Sequence, residues 1–165
     1  MGLLAMLGLS CNTKVKGNGK RSSDYVKRAV PAGKLIGFNY VHSGTMAQPF
    51  KEYDLQLLDN GKVQLYAHDL DKYHDTILVG AEVLDTVARM IIDNDIYRYK
   101  DHFDPGVQVY DGEGWRYSAL YDDNTHLSSG GTNAWPRHFA LPIIAAYLDS
   151  IAVKGGALNK LTEYW

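Results

Sequence analysis

FKEYDLQLLDNGKVQLYAH, residues 50–68, decides how this chain folds. Two runs of alternating apolar and polar residues flank Asp59-Asn60-Gly61, a strong hairpin signal. A two-residue Asn60-Gly61 turn sets Leu57 opposite Gln64 and mixes the faces. A three-residue loop with Gly61 left-handed sets Leu57 opposite Val63, Leu55 opposite Leu65 and Tyr53 opposite Ala67. That register leaves Asp54, Gln56, Gln64 and Tyr66 on a polar face. A slip by one residue inverts every side chain, so the three-residue loop is expected.

The same periodicities extend outward. Lys34 to His42 alternates, with Ile36, Phe38 and Tyr40 on one side, and reads as a strand. From Gly80 to Asp93 the period lengthens to that of a helix, with Val83, Leu84, Val87, Ala88, Met90 and Ile91 as an apolar stripe. Val107 to Tyr110 and Trp115 to Tyr121 surround Asp111-Gly112-Glu113-Gly114, a second hairpin. Asp122 to Thr125 turns into His126 to Gly130. A last helix is expected over Arg137 to Ala152, with Leu141, Ile144, Ala145, Leu148 and Ile151 buried. Pro136 or Pro142 suits its first turn, and Gly155-Gly156 stops it. The expected fold is α+β: a two-layer antiparallel sheet with two helices packed on one face, in the order strands, helix, strands, helix.

The chain has 165 residues and a formal net charge of −2. The charge is uneven. Seven basic residues (Lys14, Lys16, Lys20, Arg21, Lys27, Arg28, Lys34) and one acid, Asp24, lie between residues 12 and 34, and the rest of the chain carries an acidic excess. Asn12 to Asp24 is polar and Gly/Ser-rich, and residues 12–33 read as a basic flexible tether; residues 34–165 read as one globular domain. A basic tether beside a membrane is drawn to anionic head groups. A nucleic-acid partner is not expected, because phosphates repel an acidic domain. The single cysteine, Cys11, excludes an internal disulfide. GNGKRS fails as a phosphate-binding loop, since Lys14 stands where its first glycine belongs and Arg21 follows Lys20.

Residues 1–11, MGLLAMLGLSC, run from Leu3 to Leu9 as an apolar stretch and through Ser10 into Cys11. This resembles the end of a bacterial lipoprotein signal peptide, in which that cysteine is lipidated and becomes the new N-terminus. Gly8 stands where such signals usually carry leucine, flanked by Leu7 and Leu9. With the basic tether and the α+β domain closing on SSGGTNAWP, the chain resembles small uncharacterised bacterial lipoproteins. The resemblance implies lipidation of Cys11 and a place in the bacterial cell envelope, anchored to a membrane outside the cytoplasm. It implies no catalytic residue.

The domain offers several candidate sites. HDLDKYHD brings His68, Asp69, Asp71, His74 and Asp75 together, but its spacing matches neither a calcium loop nor a zinc-hydrolase helix, so it reads as an acidic solvated loop and no metal is expected. Gly130, Gly131 and Asn133 lie in a Gly-rich segment that allows left-handed backbone or close approach of a ligand. Trp135 beside them reads either as a ligand contact or as a plug under the helix. Tyr66, Tyr117 and Tyr121 suit sugar stacking or anchoring of a protein partner, or alternatively core filling. His42, His102 and His138 read as surface or capping residues. The Gly-x-Ser-x-Gly elbow is absent, although His126 lies near Asp122 and Asp123. The expected function is a lipid-anchored binding module for a protein or glycan ligand, with no cofactor. The alternatives are a small hydrolase using His and Asp residues near the sheet end, and a cytosolic structural subunit.

Overall fold

The computed structural model describes residues 23–44, 50–70, 73–107 and 112–155. Cys11, most of the expected tether, Asp71, residues 108–111 of the second hairpin, and the tail from Gly156 lie outside the described residues.

The first hairpin has the expected register. β2 (Lys51–Leu57) and β3 (Val63–Asp69) pair antiparallel, with Leu57 opposite Val63, Leu55 opposite Leu65 and Tyr53 opposite Ala67. The Leu58 N–H donates to the Lys62 carbonyl at 2.8 Å, closing a three-residue loop in which Gly61 has φ +74°. β1 (Leu35–Ser43) pairs with β2 on one side and with β6 (Gly114–Tyr121) on the other. A bulge between Leu35 and Gly37 turns Leu35 into the core beside Phe38 and Tyr40. Ile36, expected inside, is only half-buried. The bulge shifts the alternation by one residue.

The expected architecture needs correction. The molecule is dominated by one seven-stranded mixed sheet, in the order β4-β3-β2-β1-β6-β7-β5, rather than a two-layer antiparallel sheet ordered strands, helix, strands, helix. Three findings overturn that reading. β4 (Tyr73–Val79) extends the first meander to four strands, where HDLDKYHD reads as a solvated loop. β5 is the two-residue strand His102–Phe103 and lies upstream of Val107, which is in a bend. β5 also pairs with β7 (His126–Thr132) in parallel, because a connection through a 3-10 turn, Ile96–Arg98, brings it to the far edge in the same direction.

Helices α1 (Glu82–Asp93) and α2 (Leu141–Lys154) contribute Val83, Leu84, Val87 and Ile91, and Leu141, Ile144, Ala145, Leu148 and Ala152, to a single core. Pro142 stands in the first turn of α2, where its missing N–H costs nothing. The strands meet these helices with one face: Phe38 and Tyr40, Tyr53 and Leu55, Val63, Leu65 and Ala67, and Trp115, Tyr117, Ala119 and Tyr121. Tyr99 sits at the centre of an aromatic group formed with Tyr25, Phe103, Trp115 and Tyr117. Its hydroxyl donates to the His138 carbonyl at 2.6 Å and accepts the Ala140 N–H at 2.9 Å, which satisfies a donor at the start of α2.

Packing extends upstream of residue 34. Tyr25 bridges Tyr99, the Val26 N–H donates to the Arg98 carbonyl at 2.8 Å, and Arg28 donates to the Tyr97 carbonyl at 3.0 Å. Residues 25–28, within the expected tether, therefore belong to the folded body.

Candidate functional site

One transverse row crosses five strands at one end of the inner face. Register places Trp115 of β6 beside His42 of β1, His42 beside Lys51 of β2, Lys51 beside Asp69 of β3, and Asp69 beside Tyr73 of β4. Each residue ends an apolar run of its strand: Phe38 and Tyr40 lead to His42, Leu55 and Tyr53 to Lys51, and Val63, Leu65 and Ala67 to Asp69. The period of two that builds the core therefore aims the polar residues at the same side.

Over this row passes α2, carrying Asp149 one turn beyond Ala145. Asp149 accepts a hydrogen bond from the Tyr53 hydroxyl at 2.5 Å, another from the Tyr73 hydroxyl, and one from the Lys51 ammonium at 3.2 Å. Lys51 also pairs with Asp69 at 3.0 Å, whose side chain is 0% exposed. Burial alone lowers the Lys51 pKa, but hydrogen bonds and charge from Asp69 and Asp149 outweigh it and hold the ammonium above its ordinary value. Burial, with the Asp149 carboxylate second, pushes the Tyr53 and Tyr73 hydroxyls far up, so both remain neutral donors.

Beside this network His42 Nε2 meets the Glu113 carboxylate. Asn133 positions Glu113. Its left-handed backbone, φ 49°, lets its N–H donate to the Glu113 carbonyl at 2.8 Å while its side-chain oxygen accepts the Glu113 N–H at 3.0 Å. Burial, then the Glu113 charge, pushes the Tyr40 hydroxyl far up. Between the sheet end and α2, Tyr40, His42, Lys51, Glu113 and Asp149 line a cleft of about 530 Å³, with Trp135, Phe139, Pro142, Ala145 and Ala146 as its apolar side. Trp135 is 38% exposed.

The sequence candidates separate accordingly. Trp135 lines the cleft and Asn133 acts through Glu113. Gly131 is a packing position: a Cβ there would lie 2.4 Å from the Ala134 carbonyl oxygen, which also accepts the Trp115 indole N–H at 2.8 Å. Gly130 lies next to it in β7, opposite Arg116. Tyr117 and Tyr121 are both 2% exposed and fill the core. The Tyr117 hydroxyl donates to the Ile96 carbonyl at 2.9 Å, and the Tyr121 hydroxyl has no partner among the described residues.

Tyr66 lies on the opposite, open face, 3.2 Å from His74 Nε2, in a row of rings with His68 and Phe50. The alternation of β3 and β4 puts His68 and His74 outside and Asp69 inside. It thereby scatters the would-be metal ligands, and no three His, Cys, Asp or Glu among the described residues are arranged to hold a metal ion.

Sequence reading misses His42, Lys51, Tyr53, Tyr73, Glu113 and Asp149 as one group. The detectable signal is positional: a charged or polar residue at the end of each apolar stripe, on the stripe's own face.

No helix among the described residues is long and apolar enough to cross a membrane. No protein-family model, curated protein or solved structure matches this chain.

Proposed function

We propose that this chain is a lipid-anchored binding module of the bacterial cell envelope, held outside the cytoplasm through Cys11, with the cleft between α2 and the sheet end as its ligand seat. The observation that carries the binding reading is the exposed indole of Trp135 across from the His42–Glu113 and Lys51–Asp149 pairs. Concave, mostly apolar sites with a few convergent polar groups are where small ligands bind. The address rests on residues 3–11 and the basic segment after them.

Two experiments test the two halves. Lipid labelling of the wild type, lost in Cys11→Ala, supports the anchor; a soluble, unlabelled wild type retaining Met1 refutes it. Amide chemical-shift mapping against a library of sugars, peptides and metabolites tests the seat. Shifts that gather on residues 40–42, 113 and 135–149 support it. Shifts confined to the open face around Tyr66, or none, refute it.

The His42–Glu113 pair favours a second reading, hydrolysis with His42 as a general base oriented by a carboxylate. The described cleft lining holds no serine, threonine or cysteine, so water would be the nucleophile. Turnover of chromogenic esters or glycosides that disappears in His42→Ala and Glu113→Gln would favour that reading over binding alone.

A further inference from the structure

The geometry points to an uncharged glycan segment as the cleft's ligand, with one sugar ring stacked on Trp135. The inference rests on the cleft being the ligand seat and names what that seat takes.

Two features of the lining set the chemistry. The first is an apolar plate. Trp135 is the exposed aromatic of the cleft, flanked by Phe139 and Pro142 on the α2 side. A ring with one C–H face and a rim of hydroxyls suits an indole that is apolar in body and wet at its edge.

The second is that the polar wall is built from pairs. Lys51 is held between Asp69 and Asp149, Asp149 also takes the Tyr53 and Tyr73 hydroxyls, and His42 meets Glu113. An anionic ligand finds the one ammonium of the described lining already shared by two carboxylates, and Glu113 adds a third carboxylate to the cleft. A cationic ligand competes with Lys51 at Asp149 and with His42 at Glu113, and at Asp149 it also disturbs the buried Asp69–Lys51 pair. Hydroxyls make no such demand. Each donates and accepts, so it can bridge a carboxylate and its partner without leaving a charge unpaired. The other aromatic surface, Phe50, His68, His74 and Tyr66 on the open face, serves as the control location.

The test is calorimetric titration of the full chain carrying Cys11→Ala. The neutral probes are cellotetraose, mannotetraose and chitotetraose, the anionic probe is tri-galacturonate, and the cationic probe is spermidine. At least one neutral oligosaccharide should bind. Trp135→Ala should weaken it about tenfold, Trp135→Phe should keep affinity within about threefold, and Tyr66→Ala should leave it unchanged. Thermal unfolding of each variant separates a lost contact from a lost fold. Trp135-dependent binding of tri-galacturonate or spermidine without any neutral probe overturns the glycan assignment and leaves the cleft as the seat. Failure of every neutral probe at about 10 mM overturns the assignment, and binding that depends on Tyr66 instead of Trp135 overturns the seat as well.

Discussion

Replacing Lys51 by Met tests whether the polar row holds the sheet end to α2. Methionine keeps most of the lysine stem, so packing is largely retained and the charge is what disappears. Asp69, with its side chain 0% exposed, loses the ammonium 3.0 Å away. Asp149 loses the same cation but keeps the Tyr53 and Tyr73 hydroxyls. Removing one partner of a buried ion pair costs about 3–5 kcal/mol, and because Lys51 is 24% exposed the lower end applies, about 3 kcal/mol. For a domain of this size that is a fall of about 10 °C in Tm. Urea unfolding should show the loss in the midpoint with an unchanged m-value. In the double variant Lys51→Met/Asp69→Asn, where the fully buried carboxylate is gone and only Asp149, still bonded to Tyr53 and Tyr73, lacks the cation, more than half of the loss should return. A loss under about 1 kcal/mol, the worth of an exposed ion pair, refutes the reasoning, and so does strict additivity of the two substitutions.

The buried tyrosines predict alkaline lability. Burial pushes the Tyr99 and Tyr121 hydroxyls up to about 12, and Tyr40, Tyr53, Tyr73 and Tyr117 move the same way. A folded-state pKa raised above the unfolded one gives stability that is complete below about pH 10 and is lost as pH rises through the folded value. The urea midpoint should therefore drop between about pH 10 and 12, with tyrosinate absorbance appearing together with unfolding; a full titration near pH 10 in a still-folded protein contradicts this. Gly131→Ala should cost about 2–3 kcal/mol, since its Cβ would meet the Ala134 oxygen at 2.4 Å and Phe103 and Trp115 at 2.9 Å. Gly61→Ala meets no atom within 4 Å and should cost only about 1 kcal/mol, for its φ of +74°. Calorimetric Tm values in the opposite order contradict the packing account. Tyr117→Phe leaves the Ile96 carbonyl without its donor and should cost about 1–2 kcal/mol by urea unfolding.

Local patterns carried the elements they could reach. The Asp59-Asn60-Gly61 loop set its own register because only one pairing sorts Leu55, Leu57, Val63 and Leu65 onto one face. The helix over Glu82–Asp93 was visible because its stripe is narrow and continuous. β4 was hidden by composition, since His74 and Asp75 make its first half look solvated while Tyr73, Ile77 and Val79 turn inward. β5 was hidden by length: two residues show no period, and their parallel partner lies more than twenty residues further on. The candidate site was legible at Trp135 and Asn133, which stand in the unusual local sequence SSGGTNAWP. It was not legible at His42, Lys51 and Asp149, because cross-strand register aligns His42 with Lys51 and the packing of α2 on the sheet brings Asp149 to them.

Two pins hold α2. At its start the Ala140 N–H donates to Tyr99, and near its end Asp149 binds Tyr53, Tyr73 and Lys51. The helix thus has little freedom to rock against the sheet, and the gap it borders has a set width before anything enters. Such a slot sorts molecules by outline. An occupant that matches forgoes the entropic toll of ordering its host, and one that must push α2 outward to enter has to break one of these bonds.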